Sequence, residues 1–549
     1  MKHFLIVHSI LSMRFVSIGL TVLLALRSIA GAQVASVHFT IDPTRDVKPI
    51  SRFIYGVNQF HLFMDGMNGP WSNLAFTRLG GNRLTAYNWT NNASQAGKDY
   101  HFQNDNYLVM GDAYKGLEDT PGGALIPIIE LAREHNAACL LTVPINGYVA
   151  ADKNSDGDVQ NTPNYLQVRF RREQPKKGSP FTLTPDPNSP VVYQDEFVNW
   201  VKTKYPYGQS DPNHPIWFSL DNEPDWWQST HSEIHPQTST YAELIDKTIA
   251  YADAIRSVEP NAMVFGPANY GWQGYVRLSD AADANGRDFQ EVYLQAMSAA
   301  EKVHGRRLLD VLDVHWYPEA KGDGIRIDQN RPIPALMQAR EDAPRSLWDP
   351  TYVETSWITK DSLRGEPIRL IPRLMDKIAR NYPGTKLAIT EYSYDGGSDI
   401  SGAIAQADAL GIFGREGLFA AAIWTRDNVP FTAAAFTIFR NFDGRNGTFG
   451  DLSIHAETDD IVDTSVYASL DSADANRLVV VAINKSDHSI RAVMNLTNTR
   501  RWLGADIYQL TAEGPTVRPA GHIALTNPGV VEYVLPPKSV NTLAVAAQP

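Results

Sequence analysis

Cysteine is almost absent from this sequence: Cys139 is the only one among 549 residues. A single thiol excludes an intrachain disulfide and a metal cluster built on cysteine ligands. Basic residues are also in deficit, with 49 Lys and Arg against 61 Asp and Glu and a formal net charge of −12. A surface of this sign repels phosphate backbones and anionic lipids, so nucleic acids and acidic substrates are poor partners.

Long apolar runs are scarce too. No segment after the N-terminus reaches the roughly 20 apolar residues that a membrane-spanning helix needs. The apolar stretch 15–26 follows Lys2 and Arg14 and precedes the small residues Ala-Gly-Ala at 30–32. This order is typical of a secretory signal peptide, which we predict over residues 1–32. The protein is therefore expected to be secreted, extracellular or periplasmic, with no membrane contact after cleavage. A retained anchor is the alternative.

Eight short apolar or β-branched runs organise the chain up to about residue 440, most of them followed by a turn and a helical pattern such as 242–258. They occupy residues 53–57, 76–79, 139–144, 216–220, 263–265, 311–316, 387–390 and 421–425. Alternating strands and helices indicate parallel pairing through right-handed crossovers, and eight such units match a closed (β/α)8 TIM barrel. An open, doubly wound sheet is the alternative, but no Gly-rich phosphate loop follows its first strand.

After residue 440 the pattern changes to strands without intervening helices. Residues 478–483 are continuously apolar, and apolar residues alternate with mostly polar ones over 490–496. This pattern predicts an additional β-sandwich domain, to which residues 37–41 could add one strand. The predicted units of this α/β protein are the signal peptide 1–32, a catalytic barrel over 53–437, and a sandwich formed by 33–52 plus 438–549.

Two acidic residues stand at strand ends, where a barrel of this type carries its reactive groups. Glu223 follows the fourth predicted strand and Glu391 follows the seventh. These strands are nearly opposite each other, so the two carboxylates could face each other across a cleft, as glycoside hydrolysis requires. Taken singly, either acid fits a salt bridge or a cap better than catalysis. The pair at these strand numbers favours catalysis.

Tryptophan is abundant, with 12 residues, nine of which fall at predicted strand ends or in loops. Sugars present apolar C–H faces that pack on aromatic rings while their hydroxyls bond to polar side chains. Part of this set must belong to the core, because large aromatic residues fill much of any protein interior. The placement of the rest indicates a neutral polysaccharide ligand.

Seven short motifs occur in a fixed order along the chain. They are Arg78-Leu79-Gly80-Gly81-Asn82 with Tyr87-Asn88-Trp89, Gly147-Tyr148-Val149-Ala150-Ala151-Asp152, Ser219-Leu220-Asp221-Asn222-Glu223-Pro224, Val314-His315-Trp316-Tyr317-Pro318-Glu319, Trp348-Asp349-Pro350-Thr351-Tyr352, Ile389-Thr390-Glu391-Tyr392, and Ser401-Gly402-Ala403-Ile404-Ala405-Gln406-Ala407-Asp408. In this order they resemble glycoside hydrolase family 44, which comprises secreted endoglucanases and xyloglucanases. The resemblance runs from about residue 50 to the C-terminus and implies a barrel with a β-sandwich and a retaining mechanism.

The resemblance implies a role for several residues. Glu223 corresponds to the general acid/base and Glu391 to the nucleophile, while Asn222 would hold the sugar 2-hydroxyl beside the scissile bond. Arg78 and Tyr317 are expected to keep Glu391 ionised, with a buried ion pair and a core ring as the purely structural alternatives. Further candidate substrate-binding residues are Asn82, Trp89, Trp227, His315, Trp316, Tyr392 and Trp424.

Two loops depart from the family pattern close to these acids. Asp225-Trp226-Trp227 stands where small residues before a single Trp are expected, and Tyr394-Asp395-Gly396-Gly397 is one residue longer than usual. Loops of this kind shape the binding subsites of the barrel. Substrate preference is therefore less well defined by the resemblance than the type of reaction.

Residues 152–158 read like the first half of a calcium loop, with possible oxygen ligands at Asp152, Asn154, Asp156 and Asp158. The bidentate Glu expected at position 12 of such a loop is missing, because Pro163 stands there. A solvated polar turn is the alternative to a structural Ca²⁺ site. No cofactor is expected for catalysis.

The leading hypothesis is a monomeric, secreted, retaining endo-β-1,4-glucanase that acts on a neutral β-glucan, either cellulose-like glucans or xyloglucan. A xylanase or mannanase on the same scaffold is one alternative, and a non-catalytic glycan-binding barrel is another. A metal-dependent hydrolase would need His and Asp ligands at several strand ends, where only His315 clearly lies.

Overall fold

A computed structural model describes residues 35–59, 71, 73–425, 429–474, 476–497, 502–525 and 529–547. The predicted signal peptide lies outside the described residues. Eight parallel strands close into a barrel in which the eighth pairs with the first. From first to eighth, the barrel strands are Gly56–Asn58, Phe76–Leu79, Ala138–Val143, Ile216–Leu220, Val264–Asn269, Val311–Trp316, Lys386–Tyr392 and Ala420–Ile423.

Five barrel strands differ from their predicted bounds, and the first and the fifth differ most. Over residues 53–57 only the end is a strand, because Arg52–Ile54 forms a 3-10 turn and the strand is Gly56–Asn58. Phe53 and Ile54 of this turn pack into two different core clusters, so their hydrophobicity imitated a strand. The fifth strand extends beyond 263–265 to Val264–Asn269, since its polar end carries no hydrophobic signal.

Helices surround the barrel. The predicted helix over 242–258 spans Tyr241–Val258 and begins after Thr240, whose hydroxyl accepts a hydrogen bond from the Glu243 amide. No helix of the described residues is both long and apolar enough to cross a membrane. The described α-helices are Asn82–Thr85, Ile126–Glu134, Tyr165–Val168, Gln194–Lys204, Trp227–Thr230, Tyr241–Val258, Trp272–Arg277, Phe289–His304, Pro334–Asp342, Leu370–Asn381, Ile400–Glu416 and Pro430–Arg440.

The second unit is a ten-stranded sheet that folds over its own apolar core. Its N-terminal strand Ala35–Asp42 lies between two C-terminal strands, antiparallel to Leu452–Thr458 and parallel to Ile490–Leu496. The strands of this sandwich are Ala35–Asp42, Lys48–Pro49, Leu452–Thr458, Thr464–Leu470, Arg477–Asn484, Ile490–Leu496, Trp502–Thr511, Gly514–Ala524, Val530–Leu535 and Ser539–Ala547. Short strands in the barrel loops are Ser94–Gln95 with Asn104–Asp105, Tyr148–Ala150 with Phe170–Gln174 and Val191–Tyr193, and Lys321–Gly322 with Ile325–Arg326.

The sandwich packs directly on the last barrel helices. The Tyr467 hydroxyl donates a 2.6 Å hydrogen bond to Asp408, and its ring lies against Gly411, where a Cβ atom would come within 2.3 Å of the ring. Lys538 of the sandwich forms a 2.6 Å ion pair with Glu341 of a barrel helix. These buried polar contacts fix the two units against each other.

Irregular pairing marks the carboxyl ends of three neighbouring barrel strands. The register shifts near Asn269, between Val314 and His315, and before Tyr392. Such bulges redirect side chains at barrel rims. One consequence is that His315 pairs directly with Glu391 across the sixth and seventh strands.

Candidate active site

Glu223 stands in a constrained turn after the fourth barrel strand. Its backbone is left-handed, with φ 45°, and Asp221 two residues earlier has φ 66°. The Asp221 carboxylate stabilises the turn by accepting hydrogen bonds from the backbone amides of Ile145 (2.6 Å) and Asn222 (2.8 Å). Left-handed non-glycine residues cost about 1–3 kcal/mol each and concentrate at functional sites. The fold therefore tolerates a local loss of stability that orients Glu223.

Glu391 lies at the end of the seventh strand and is held by two donors. Arg78 Nη1 donates to its Oε2 over 2.8 Å, and the Tyr317 hydroxyl donates to its Oε1 over 2.6 Å. Hydrogen bonds to a carboxylate favour its ionised form. Both oxygens of Glu391 are therefore stabilised as an anion.

The two carboxylates approach each other closely, with His315 between them. One oxygen of Glu223, one oxygen of Glu391 and a ring nitrogen of His315 lie within 4.8 Å of one another. His315 Nδ1 is 2.8 Å from Glu223 Oε1 and 3.6 Å from Glu391 Oε2. Within the described part of the chain, no side chain hydrogen-bonds to Glu223 Oε2, so this atom is available to a ligand.

The electrostatic surroundings of the two acids differ. Burial raises the pKa of Glu223 well above its ordinary value, and the charges of Glu391 and Asp225 raise it further. Burial also raises the pKa of Glu391, but Arg78 and the Tyr317 hydroxyl oppose that shift. When one proton is shared by the pair, it therefore belongs on Glu223. Two facing acids with separated proton affinities can serve as acid and base.

His315 is uncharged in this setting. Complete burial lowers the pKa of its imidazole well below the ordinary value, and the Arg78 charge lowers it further. A neutral ring adds no positive charge beside Glu223 and so does not promote loss of the Glu223 proton. His315 thus orients Glu223 without ionising it.

Arg78 connects the two acidic strand ends. Its Nη2 donates a 2.7 Å hydrogen bond to Asn222 Oδ1, and its Nη1 lies 3.2 Å from Asn58 Oδ1. Asn222 Nδ2 in turn donates to Asn82 Oδ1 over 3.3 Å. The amide beside Glu223 and the carboxylate of Glu391 are therefore oriented by the same guanidinium.

Trp424 lies beside this network at the end of the eighth strand. Gly81 makes the approach possible, because it adopts φ 89° and a Cβ atom there would come within 2.8 Å of the indole. The Gly81 amide donates a 3.2 Å hydrogen bond to Asn222 Oδ1. The half-buried Trp424 ring is thus positioned next to Asn222.

Known proteins are similar to this sequence over most of its length. A sequence model of glycoside hydrolase family 44 matches residues 93–320. Endoglucanase A of Paenibacillus lautus is 38% identical over 543 residues, which cover 97% of this chain and 75% of that protein. The chain belongs to glycoside hydrolase family 44. It is therefore a glycoside hydrolase, and the predicted family is confirmed.

Solved structures of family 44 agree with the fold. A xyloglucanase of Paenibacillus polymyxa, solved with xyloglucan, has a TM-score of 0.87 and 37% identity, covering 93% of this chain and all (100%) of that one. The endoglucanase Cel44A of Clostridium thermocellum also has a TM-score of 0.87 and 37% identity, and the match covers 93% of this chain and 100% of that one. The prediction of a TIM barrel with a β-sandwich is confirmed. Beta-mannanase/endoglucanase A of Caldicellulosiruptor saccharolyticus is 39% identical over 510 residues, 89% of this chain, which spans only 37% of that protein.

Six further predicted site residues of this family 44 hydrolase lie around Glu223 and Glu391. They are Arg78, Asn82, Asn222, His315, Tyr317 and Trp424. Four predicted sugar contacts do not: Trp89, Trp227, Trp316 and Tyr392 are each no more than 1% exposed. A ring covered on all sides offers no face to a sugar, so these positions are corrected to core residues.

Core packing explains where these rings lie. Trp89 contacts Phe197 and Trp200 at ring-centroid distances of 5.9 and 6.5 Å. The Tyr392 hydroxyl accepts a 2.8 Å hydrogen bond from Gln406, away from the carboxylates. Sequence position at a strand end does not distinguish rings that point into the cleft from rings covered by loops and helices.

Two aromatic residues near the acids were not predicted as site residues. The half-buried rings of Trp226 and Tyr270 lie 4.4 Å apart between centroids, and Tyr270 stacks on Tyr317 at 6.2 Å. The Asp225 carboxylate positions this pair by accepting a 3.0 Å hydrogen bond from the Tyr270 amide. The position of Tyr270 directly after the fifth strand could have identified it as a site residue. The predicted strand ended at residue 265, too early to show this.

The predicted calcium loop is occupied by a side chain of the protein. Arg169 donates to both oxygens of Asp152, at 2.8 and 2.9 Å, and to Asp156 at 2.7 Å. Asp158 caps a 3-10 turn by accepting from the Gln160 amide, so it does not face this cluster as a ligand. The guanidinium supplies the positive charge that a cation would bring. The calcium prediction for Asp152, Asn154, Asp156 and Asp158 is therefore not supported.

Proposed function

We propose that this family 44 hydrolase is a secreted, retaining endo-β-1,4-glucanase that cleaves cellulose-like glucans or xyloglucan. The approach of Glu223 and Glu391 to within 4.8 Å carries the proposal. Retaining glycosidases hold their two carboxyl groups about 5–5.5 Å apart, whereas inverting enzymes need roughly 6.5–9.5 Å to admit a water molecule. The close approach of the two acids supports the retaining geometry.

The two acids divide the reaction between them. Glu391, ionised beside Arg78, attacks the anomeric carbon while Glu223 donates its proton to the departing glycosidic oxygen, which forms a glycosyl ester on Glu391. Glu223 then takes a proton from water, the water oxygen bonds to the anomeric carbon, and Glu391 leaves as a carboxylate. Asn222 bonds the sugar 2-hydroxyl, and Trp424 forms the floor of the same subsite.

The stereochemistry of the first product tests this mechanism. Proton NMR during early hydrolysis of a cello-oligosaccharide should show the β-anomer before mutarotation, and initial release of the α-anomer would refute retention. Glu223→Gln and Glu391→Gln should each abolish nearly all turnover. Azide should rescue Glu391→Gly and give an α-glycosyl azide, because azide then attacks from the face that the nucleophile vacated.

The substrate is proposed from relatives as well as from the site. Their names include xyloglucanase, endoglucanase, beta-mannanase and bifunctional glucanase-xylanase. Sugar release from xyloglucan, carboxymethyl cellulose, xylan and mannan, measured side by side, would rank these alternatives. Faster release from xylan or mannan than from either glucan would replace the proposed substrate.

We also propose that catalysis needs no metal ion. Glu223, His315 and Glu391 form a cluster compact enough to hold one, but Arg78 already supplies a positive charge 2.8 Å from Glu391. Activity should therefore resist EDTA. Secretion is tested by N-terminal sequencing of exported protein, which should begin at Gln33, and the monomeric state by light scattering.

A further inference from the structure

We infer that a cavity between the barrel and the sandwich is a second binding site for a neutral β-glucan chain. This seam cavity, of about 530 Å³, is lined by residues 348–351, by Arg415 and Glu416, and by the sandwich strands Leu452–Thr458 and Thr464–Leu470. Small-molecule sites in proteins typically measure about 300–1,000 Å³. The motif that begins at Trp348 belongs to this cavity and has no part in the catalytic site.

The seam cavity is remote from the two acids. Helix Ile400–Glu416 follows the seventh barrel strand, at whose carboxyl end Glu391 lies, and runs back along the barrel for 17 residues. At about 1.5 Å per residue the helix is roughly 25 Å long. Arg415 and Glu416 stand at its far end. A chain in the seam cavity therefore occupies a place distinct from the catalytic cleft.

An aromatic platform is present in the seam cavity. The Trp348 ring is half-buried, and the Arg415 guanidinium stacks on one of its faces, 3.8 Å from the ring centroid, so a sugar packs against the part of the ring that Arg415 leaves open. The apolar side chains of Pro350 and Ile461 continue this surface. Sugar rings pack their C–H faces on such surfaces, while polar groups at the edge orient them.

Two buried nitrogens of the lining lack hydrogen-bond partners among the described residues. They are Nη2 of Arg415, which can only donate, and Nε2 of His455. The other ring nitrogen of His455 is already engaged, because Nδ1 donates to Asp46 Oδ2 over 2.8 Å. Buried polar atoms without partners are rare and call for a ligand or water. Sugar hydroxyls both accept and donate, so a sugar chain offers a partner to a guanidinium donor and to an imidazole nitrogen.

The charges around the seam cavity select a neutral ligand. Glu416 accepts a 2.9 Å hydrogen bond from Arg415 Nε and so offsets that positive charge. The exposed Glu457 carboxylate, 3.6 Å from His455 Nε2, adds a negative charge at the rim. Phosphates and acidic sugars would be repelled, whereas a neutral polyhydroxylated chain would not.

The test uses the full chain with Glu391→Gln, which prevents turnover, and calorimetric titration with cellohexaose and with a xyloglucan oligosaccharide. Two bound equivalents are expected. Arg415→Met, which keeps the aliphatic stem but removes the donor, should leave one equivalent. Ser465→Trp, which fills the seam cavity from the sandwich side, should do the same. Tyr207→Ala removes a ring that is 74% exposed elsewhere and should retain both equivalents.

A single equivalent in the Glu391→Gln chain, or two equivalents that persist in both seam-cavity variants, would overturn the inference. Sugar density in the seam cavity of a soaked crystal would support it independently. The choice of a glucan as ligand rests on the proposed function. Hydrolysis by the unmodified chain distinguishes failure of the second-site inference from failure of the proposed function. Hydrolysis with one equivalent refutes only the second site, whereas absence of hydrolysis on every β-1,4-glucan refutes the proposed function.

Discussion

The Arg78 guanidinium donates to Glu391 inside the barrel rim, where Arg78 is 0% exposed and Glu391 is 6% exposed. An ion pair this deeply buried is maintained only when the remaining donors and acceptors are also satisfied. Arg78 meets part of this requirement through Asn58 and Asn222. The proposed nucleophile is thereby coupled to the residue beside the proposed acid.

Arg78→Lys tests the geometry of this coupling rather than its charge. An ammonium group cannot span Glu391, Asn58 and Asn222 at once as the planar guanidinium does. We expect kcat/KM to fall about 100-fold, the cost of a misplacement of about 1 Å in a catalytic group. Arg277→Lys, at an exposed position where a helix ends, serves as the control and should leave kinetics unchanged. Wild-type kinetics for Arg78→Lys would show that charge alone suffices.

Tyr317→Phe removes the hydroxyl that donates to Glu391 Oε1. Loss of a hydrogen bond to a charged group costs about 1.5–3 kcal/mol, so kcat/KM should fall roughly 10- to 100-fold. Because the hydroxyl favours ionised Glu391, its removal raises the pKa of Glu391, and the acidic limb of the pH–rate profile should move to higher pH. Tyr392→Phe, whose hydroxyl bonds to Gln406, should leave that limb in place. An unmoved limb in Tyr317→Phe would contradict this role.

Asp225→Asn tests the other limb of the profile. The pKa of Asp225 is raised by burial to about 6, so the side chain is charged above that pH, where its charge raises the pKa of Glu223. Without the charge Glu223 loses its proton more easily, and the alkaline limb should move to lower pH. Asp158→Asn, an equivalent change at a 3-10 turn, is the control. A shift to higher pH would refute the assignment of this limb to Glu223.

Lys538→Met tests the contact between barrel and sandwich. Burial raises the pKa of its partner Glu341 to about 7, and Lys538 opposes that rise. A raised folded-state pKa means that stability falls as pH increases from the unfolded value of about 4.5 through the folded value. In Lys538→Met the folded-state pKa of Glu341 is higher still, because the opposing charge is gone. The Tm of the variant should therefore fall further below that of the unmodified protein as pH rises from 5 to 8.

A double variant provides the control for this contact. In Glu341→Gln no proton is exchanged at this site, so adding Lys538→Met should give a Tm deficit that does not change with pH. A constant deficit in Lys538→Met alone would indicate that Glu341 does not titrate in this range. Differential scanning calorimetry across the pH series measures both.

Arg169→Gln separates an arginine-stabilised loop from a calcium loop. Loss of the charged hydrogen bonds to Asp152 and Asp156 should destabilise the protein by about 2 kcal/mol, seen as a lower Tm. EDTA should leave the Tm of the unmodified protein unchanged. A marked drop in Tm with EDTA, reversed by Ca²⁺, would restore the metal prediction.

The sequence by itself determined the barrel pattern, the family and the pair of acids. Glu223 and Glu391 follow strongly apolar strands, and strand order in a closed barrel places the fourth and seventh ends nearly opposite each other, so that their side chains can face each other. Such local signals do not depend on the tertiary context. A buried strand requires apolar residues, whereas the residue at its carboxyl end can be polar or charged. The family resemblance anticipated Arg78 and Tyr317 as partners of Glu391.

Only the tertiary structure decided which side chains reach the cleft. Trp89 and Trp424 both stand at or near strand ends, yet Phe197 and Trp200 cover the first, while Gly81 leaves the second half-exposed. Arg169, 17 residues from Asp152, turned a calcium-like loop into an ion-pair cluster. Burial and charge pairing depend on residues distant in the chain, so periodicity and local motifs carry no information about them.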